Sequence, residues 1–433
     1  MDSTLIAALG IVGLLALLML GLPIAFALLV VGFLGLWSMT SLSTALHSLP
    51  LVTFSNLSNY VLVTVPMFVF MGNLAHHARI SSEVYDVFQK LFGRAPGGLA
   101  SATTAGCGLF AATSGASIAC VAAMGPVAMR EMEERGYSQR LAAGSISAGG
   151  TLGVLIPPSV PMLIYAISTN ESVAALFLAG VVPGLLSIAI YIALIMIWAT
   201  WRPQDAPPGE RVSLLDKVKS LRGVWGVLVL VILVMGSMYG GLATPTEAGA
   251  IGAFGALCIT LARRVPLTVI WAALFDTIKT SSIIFMIFIG TSYFGTFLTY
   301  TEFPIVLSEW LIDLGFSKTG LLILFLLLFI PLGMFLDAIS ILLLSLPIMW
   351  PVLNAFGIDG IWCGILVLKM LEIGQITPPV AMNVYMMKTV APHVPLKDIF
   401  YGSFVFLSAD LVTVVLLFFF PVISVGLPHY FGM

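Results

Sequence analysis

Long stretches of this chain carry no Asp, Glu, Lys or Arg, and this feature limits the possible folds more than any other. Four of these stretches are residues 98–129, 141–170, 172–201 and 223–246. Each is longer than the roughly 20 apolar residues that an α-helix needs to cross a lipid bilayer. Of all 433 residues, 60% are hydrophobic and 9% are charged, which is typical of a chain whose solvent is mostly lipid. The sequence therefore predicts an all-α polytopic membrane protein and excludes a soluble enzyme.

The second half of the chain repeats the first at a separation of 221 residues. Five pairs of identical Pro and Gly residues match without a gap: Pro126 with Pro347, Gly136 with Gly357, Gly153 with Gly374, Pro157 with Pro378, and Pro158 with Pro379. The composition of the two windows predicts about one such match by chance. Each half is therefore predicted to be one structural repeat.

Each repeat is predicted to hold three spanning helices, a re-entrant hairpin of two short helices and two more spanning helices, one of them broken. Because five crossings is an odd number, the second repeat is inverted relative to the first. The first repeat, 1–201, is divided into scaffold helices at 3–78, an amphipathic arm at 79–97, a hairpin at 98–134, a broken helix at 140–168 and a helix at 173–200. A cytoplasmic linker at 202–222 leads to the second repeat, 223–433, with scaffold helices at 223–299, an arm at 264–280, a hairpin at 319–357, a broken helix at 360–390 and a helix at 399–426.

The basic residues indicate the orientation. With the linker in the cytoplasm, all the Lys and Arg residues except Lys318 and Lys369 fall on the cytoplasmic side, including Arg79, Arg94 and Arg211. Cytoplasmic loops are enriched in Lys and Arg. Both termini are therefore predicted to be periplasmic.

Two adjacent prolines interrupt each predicted broken helix, at Pro157-Pro158 and Pro378-Pro379. Proline lacks the N–H that a helical carbonyl needs, and an unsatisfied backbone group within a bilayer costs several kcal/mol. Such breaks are tolerated where the freed carbonyls line a polar cavity or coordinate an ion. The alternative is a packed hinge with no ligand.

The hairpin tips are predicted at 112–117 (ATSGAS) and 335–340 (FLDAIS), opposite these breaks. Hydroxyl and carbonyl oxygens suit a hard monovalent cation such as Na⁺, and no motif for a transition metal is present. Exposed helix N-termini beside the breaks favour an anion, so a carboxylate substrate is expected. Local capping of the backbone is the alternative role for these hydroxyls. The candidate substrate-binding residues are Ser117, Pro158, Ser159, Ser340 and Asn383.

Three charged residues lie inside apolar runs of the second half. Asp337 could coordinate the cation, cap the following half-helix or carry a proton. Lys369 and Glu372 are three residues apart and could form an ion pair or bind substrate or a proton. No GxxxxGKS loop is present, so any uphill transport is driven by an ion gradient, and no basic patch for nucleic acid is present.

The sequence resembles the large membrane subunit of tripartite ATP-independent periplasmic (TRAP) transporters, the DctM family. The resemblance covers essentially the whole chain and is carried by VPMFVFMGNL at 65, ATSGASIACVAAMGPV at 112, GGTLGVLIPPS at 149, GMFLDAISILLLSLPIMWPV at 333 and ITPPVAMNVY at 376. It implies an inverted-repeat, elevator-type symporter of the ion transporter superfamily in the inner membrane of a bacterial or archaeal cell. The implied cargo is an organic acid delivered by a periplasmic binding protein, with Na⁺ as the coupling ion and no other cofactor.

The resemblance also implies a small membrane subunit as partner, which is expected to be a separate chain, and contact with membrane lipid. It places Na⁺ ligands at Thr113, Ser114, Gly115, Gly150, Thr151 and Pro157 in one half and at Gly333, Asp337, Gly374, Thr377 and Pro379 in the other. Ala381 stands where many members of the family carry Gly. The alternative function is a stand-alone divalent-anion/Na⁺ symporter that needs no binding protein.

Overall fold

The computed structural model describes residues 3–78, 80–93, 95–209 and 213–433, and every regular element in these ranges is a helix. The all-α prediction is confirmed. Nine helical stretches within these ranges are long and apolar enough to cross a membrane. Arg79, Arg94 and Arg211, three of the residues predicted to lie in the cytoplasm, fall outside the described residues.

The described part of the first half contains ten α-helices, and a short helix follows in the linker. They are α1 (Ser3–Met19), α2 (Ile24–Met39), α3 (Leu42–Leu57), α4 (Thr64–His77), α5 (Ile80–Phe92), α6 (Gly98–Ser114), α7 (Ser117–Glu134), α8 (Gln139–Leu155), α9 (Val160–Thr169) and α10 (Val173–Trp201), followed by α11 (Leu214–Ser220).

The second half begins with α12 (Trp225–Val231), which a π-helical turn joins to α13 (Ser237–Tyr239). The remaining helices are α14 (Pro245–Ala262), α15 (Leu267–Tyr300), α16 (Phe303–Asp313), α17 (Lys318–Phe335), α18 (Ala338–Ala355), α19 (Gly360–Ile376), α20 (Met382–Val390), α21 (Leu396–Phe419) and α22 (Val422–Tyr430).

Three elements differ from the sequence-based expectation. The segment between the second and third predicted helices forms an additional helix, α3, whose N-cap Ser41 accepts a hydrogen bond from the Thr44 N–H at 3.1 Å. The predicted arm at 264–280 is not a separate helix, because α15 runs unbroken for 34 residues and contains no proline. The helix expected at 399–426 is divided at Pro421 into α21 and α22, since proline cannot donate the hydrogen bond that would continue the first of them.

Local capping residues fix where several helices begin. At the start of α14 the Thr244 hydroxyl accepts from the Glu247 N–H at 3.4 Å, and the Glu247 carboxylate accepts from the Thr244 N–H at 2.7 Å. This reciprocal pair is a capping box, with Pro245 in the first turn. Ser172 caps α10 through its hydroxyl alone, which accepts from the Ala175 N–H at 3.2 Å.

The helices pack in two groups. In one group α15 lies against α2 and α4, and α14 also packs on α4. In the other, α8 packs against α6, α7 and α21, while α19 packs against α8, α17 and α21. The interrupted helices are the most enclosed part of the protein, because every residue from Leu141 to Leu155 and from Cys363 to Ile376 is buried. The first break is enclosed as well, because Pro157, Pro158 and Ser159 are buried, whereas Pro378 and Pro379 of the second break are exposed.

Candidate functional site

The tip of the first hairpin lies directly against the first diproline break. Helix α6 ends at Ser114 and α7 begins at Ser117, with Gly115 between them in the left-handed conformation at φ +60°. A β-carbon on Gly115 would lie 3.1 Å from the carbonyl oxygen of Pro158 and 3.3 Å from the backbone nitrogen of Val160. Glycine therefore serves here both for the turn and for the close approach of two main chains.

The break itself spans the residues between α8 and α9. Its Pro157-Pro158 peptide is cis, and Ser159 precedes α9 with no side-chain cap. The hydroxyl of Ser159 is buried and has no hydrogen-bond partner among the described residues. One turn before the break, a β-carbon on Gly153 would lie 3.2 Å from the backbone nitrogen of Ser117, so α8 also touches the start of α7.

The predicted threonine ligands of the first half are bound within their own helices. The Thr113 hydroxyl donates to the Phe110 carbonyl at 2.8 Å, and the Thr151 hydroxyl lies 2.6 Å from the Ala148 carbonyl. A hydroxyl that donates keeps two acceptor lone pairs, so both remain able to bind a cation. The side chain of Ser114 lies outside the described part of the chain.

The second hairpin tip is capped by a carboxylate. Asp337 accepts hydrogen bonds from the N–H groups of Ile339 at 3.1 Å and Ser340 at 3.2 Å, and from the Ser340 hydroxyl. Of the three roles considered for Asp337, capping is the one that these contacts describe. Because the carboxylate already occupies the first N–H groups of α18, this helix end offers little to an anion.

The second break is joined to its hairpin by a contact between two glycines. A β-carbon on Gly374 would lie 2.5 Å from the Cα of Gly333, so α17 and α19 cross without room for a methyl group. The Pro378-Pro379 peptide is cis, and the Thr377 hydroxyl donates to the Ile373 carbonyl at 2.6 Å. Ala381 then adopts a left-handed conformation at φ +57°, which glycine adopts more readily.

A cavity of about 90 Å³ lies between the two hairpin tips. Ala116 and Ser117 line it from the first hairpin, Asp337 and Ala338 from the second, and Gln375 from α19. The residue before α7 is Ala116, which has no side-chain oxygen, so the first N–H groups of α7 have no side-chain cap. The cavity thus has one helix end available to an anion and another that a carboxylate already occupies.

Of the five predicted substrate residues, Ser117 lines this cavity. Ser340 is bonded to Asp337 at its edge, whereas Pro158 and Ser159 lie in the first break. Asn383 is fully buried against α8, with its amide nitrogen 3.4 Å from the Ser147 carbonyl, and it does not line the cavity. The structure therefore brings Ser117, Ser340 and Asp337 together at the cavity, and it places Asn383 outside the cavity lining, against α8.

The predicted pair between Lys369 and Glu372 is not formed. Lys369, fully buried, contacts the Asp410 carboxylate of α21 at 2.5 Å, and the Tyr191 hydroxyl donates to the same oxygen at 2.6 Å. Glu372 instead accepts from the Ser117 hydroxyl at 2.8 Å. The two side chains leave α19 toward different neighbours, so the three-residue spacing did not bring them together.

Sequence reasoning missed Asp410 and Tyr191. The signal that could have found Asp410 is its charge. A buried Asp in one apolar helix and a buried Lys in another each need an oppositely charged partner within a bilayer. Tyr191 extends the network, since its hydroxyl also lies 3.1 Å from the Thr151 hydroxyl. The network connects α8, α10, α19 and α21, which come from both halves of the chain.

A larger cavity of about 640 Å³ lies between α1 and α2. Its lining is apolar apart from Ser38, and Leu34 in that lining is exposed at the protein surface. It lacks the polar groups that would fix an anion or an ion, so the small cavity between the tips is the better candidate site.

Comparison with known proteins agrees with this architecture. A family model described as "Tripartite ATP-independent periplasmic transporter, DctM component" matches residues 11–423. The C4-dicarboxylate TRAP transporter large permease protein DctM of Pseudomonas aeruginosa is 35% identical, over 90% of this chain and 91% of that protein. The sialic acid TRAP transporter large permease protein SiaM of Vibrio cholerae is 30% identical, over 98% of both chains.

One solved structure has a similar fold. The Alcanivorax borkumensis YdaH transporter, described as having an unusual topology, superposes with a TM-score of 0.66 over 88% of this chain and 89% of its own. Its sequence is 14% identical, so the likeness concerns the fold alone.

Proposed function

The chain belongs to the DctM family of tripartite ATP-independent periplasmic transporters, which are transport proteins and not enzymes, and we propose that it imports a carboxylate-containing solute by Na⁺ symport. The observation that supports the proposal is the cavity between the hairpin tips. Helix α7 begins at this cavity with Ser117, and no side chain caps its first N–H groups. Free N–H groups and the positive end of the helix dipole stabilise a carboxylate without a basic side chain.

Sodium is the proposed coupling ion because the two breaks supply oxygen ligands without a carboxylate cage. The hydroxyls of Thr113 and Thr151 suit a hard monovalent cation, and Pro157 and Pro158 have no N–H to donate to the carbonyls one turn earlier. In the second half Asp337 and Thr377 offer the same kind of ligand. One ion is proposed at each tip, held between the hairpin and the break that it touches.

The proposed mechanism is an elevator movement. The group of α6–α9 and α17–α20 carries the cavity, and the group containing α2, α4, α14 and α15 is the fixed scaffold. The 221-residue repeat, with inverted orientation of the halves, supports two alternating positions of equal architecture. The amphipathic α5, which packs on α6, would connect the moving group to the scaffold.

The proposed setting is the inner membrane of a bacterial or archaeal cell, with both termini periplasmic. The partners are a small TRAP membrane subunit, a periplasmic binding protein that delivers the solute, and membrane lipid. Named relatives carry different acids, including C4-dicarboxylate and sialic acid. A panel of C4-dicarboxylates, sialic acid, sugar acids and keto acids is therefore the starting set for identifying the cargo.

The test is solute uptake into proteoliposomes that contain this chain with its small subunit. We expect uptake from the panel when the loaded binding protein and an inward Na⁺ gradient are present, and loss of uptake when K⁺ replaces Na⁺. Equal uptake in the two salts contradicts sodium coupling. Uptake by this chain alone, without binding protein, favours the stand-alone symporter instead.

A further inference from the structure

A buried carboxylate beside the cavity lacks a counter-ion. Glu372 and Asp410 are both fully buried, and the one buried lysine near them, Lys369, is bound to Asp410. The other ionisable side chains that act on Glu372 are Cys120 of α7 and Tyr191 of α10, and neither carries a positive charge. Glu372 therefore has no counter-ion among these side chains, and in a bilayer interior its carboxyl needs either a proton or a bound cation.

Buried oxygen atoms without hydrogen-bond partners occur on three helices, α8, α19 and α20. Among the described residues these include Oε2 of Glu372, Oδ1 of Asn383 and Oγ of Ser147, and all three side chains are fully buried. Asn383 adjoins Ser147, since its amide nitrogen lies 3.4 Å from the Ser147 carbonyl, and buried polar atoms are almost always paired, so each of the three unpaired oxygens requires an explanation. A bound cation would supply it, because oxygen ligands around an ion point at the ion and not at one another.

Gly150 makes room between these groups. A β-carbon on it would lie 3.0 Å from the Ser117 carbonyl oxygen and 3.4 Å from the Asn383 amide nitrogen. Because Gly150 has no side chain, the start of α7 and the start of α20 both lie close to α8 at this point. Ser117 at the start of α7 contacts Glu372, and Asn383 lies at the start of α20. One carboxylate with neutral oxygens matches a monovalent cation better than a divalent one.

We propose that Glu372, with Asn383 and Ser147, holds a sodium ion of its own, in addition to the ions at the two hairpin tips, and that this ion binds before the solute. This inference rests on the proposed sodium coupling. The Ser117 hydroxyl both lines the cavity and donates to Glu372. Only this hydroxyl would therefore separate a solute carboxylate at α7 from an ionised Glu372 carboxylate. The ion removes this repulsion, which makes its binding a condition for binding the acid.

The experiment measures radioactive sodium bound at saturation to the purified full-length chain with its small subunit. We expect E372Q, in which the amide keeps the shape and removes the charge, to bind one sodium ion fewer per chain than the native protein. The matched control is E171Q, because Glu171 is a carboxylate in the loop between α9 and α10, outside the sites proposed here. It should bind the native number of ions.

An equal number of bound ions in E372Q and the native protein overturns the inference while leaving sodium coupling intact. No bound sodium in the native protein overturns sodium coupling itself, and this inference with it. Should E372Q fail to give monodisperse protein, E372D decides the question, because it keeps the charge but shortens the reach. We expect E372D to keep the ion number and to raise the half-saturating Na⁺ concentration about tenfold, and an unchanged concentration contradicts the proposal.

Discussion

At the scale of single residues, the network around Lys369 determines how this protein tolerates charge in its core. Lys369 and Asp410 are fully buried, and Tyr191 donates a second hydrogen bond to the carboxylate. Removing one partner of a buried pair leaves an uncompensated charge, whereas removing both leaves none. The effects of substitutions at Lys369 and Asp410 on the free energy of unfolding should therefore be strongly non-additive.

We predict that K369M and D410N each destabilise the protein by about 3 kcal/mol, and that the double variant loses less than half of the summed effect. Thermal unfolding of the purified proteins in one detergent, followed by tryptophan fluorescence, gives the comparison. The Lys318 side chain is a suitable control position, because it is exposed and bonds to the Gly357 carbonyl, so K318M should leave the melting temperature nearly unchanged. Additive effects of K369M and D410N contradict the coupling.

Sequence reasoning identified Lys369 and Glu372 as exceptional but chose the wrong partner. Asp410 follows Lys369 by 41 residues, and the contact depends on the rotation of α19 and α21 about their axes. Helical spacing alone describes neighbours on one helix, and it contains no information about which side chain of another helix faces them. The capping role of Asp337 was easier to foresee, because capping is decided within a few residues of the chain.

At the scale of elements, the interruptions of the helices follow closely from proline and glycine. Helix α8 ends two residues before Pro157 and α19 ends two residues before Pro378, as expected when a residue lacks a backbone donor. The helix α3 was missed because its segment mixes polar residues with Pro50. The continuity of α15 was missed because amphipathic character at its start suggested an interfacial arm, although residues 267–289 contain neither glycine nor proline to end the helix there.

The crossing of α17 and α19 depends on the absence of side chains. We predict that G374A lowers stability by about 2 kcal/mol or more, because its methyl group would meet the Gly333 main chain, which cannot move aside as a flexible side chain can. The control is G13A, since a β-carbon on Gly13 in α1 meets nothing within 4 Å. The measurement is the melting temperature of each variant, and a G374A value equal to that of G13A contradicts the close crossing.

At the scale of the whole molecule, the proposed movement of one helix group against the other can be tested by cross-linking the two groups. His76 of α4 and Phe110 of α6 belong to different groups, and their ring centroids are 6.5 Å apart. Phe33 of α2 and Tyr293 of α15 belong to the same group at 6.4 Å. The two pairs therefore offer one link across the proposed sliding boundary and one within the scaffold.

We predict that joining cysteines at positions 76 and 110 with a short bis-methanethiosulfonate cross-linker abolishes uptake in proteoliposomes, and that a reducing agent, which cleaves the disulfides so formed, restores it. Sodium binding should persist, because the link stops movement without touching either break. Cysteines at positions 33 and 293 are the control, and uptake should survive their linkage. Both pairs are placed in a C258S background, since Cys258 is exposed whereas the other three native cysteines are buried. Normal uptake with complete linkage of 76 to 110 contradicts the elevator movement.

The difference in capping between α7 and α18 has a consequence for how acids are told apart. Because Asp337 caps α18 and no side chain caps α7, the proposed site would bind an acid in a single direction, with its carboxylate toward the first half of the chain and its tail toward the second. Two acids that share a head and differ in their tails would then be sorted by the side chains around Asp337 and Gln375. Under this proposal, changes to the solute preference should begin with the side chains around Asp337 and Gln375, because the start of α7 would bind the carboxylate of every acid in the same way.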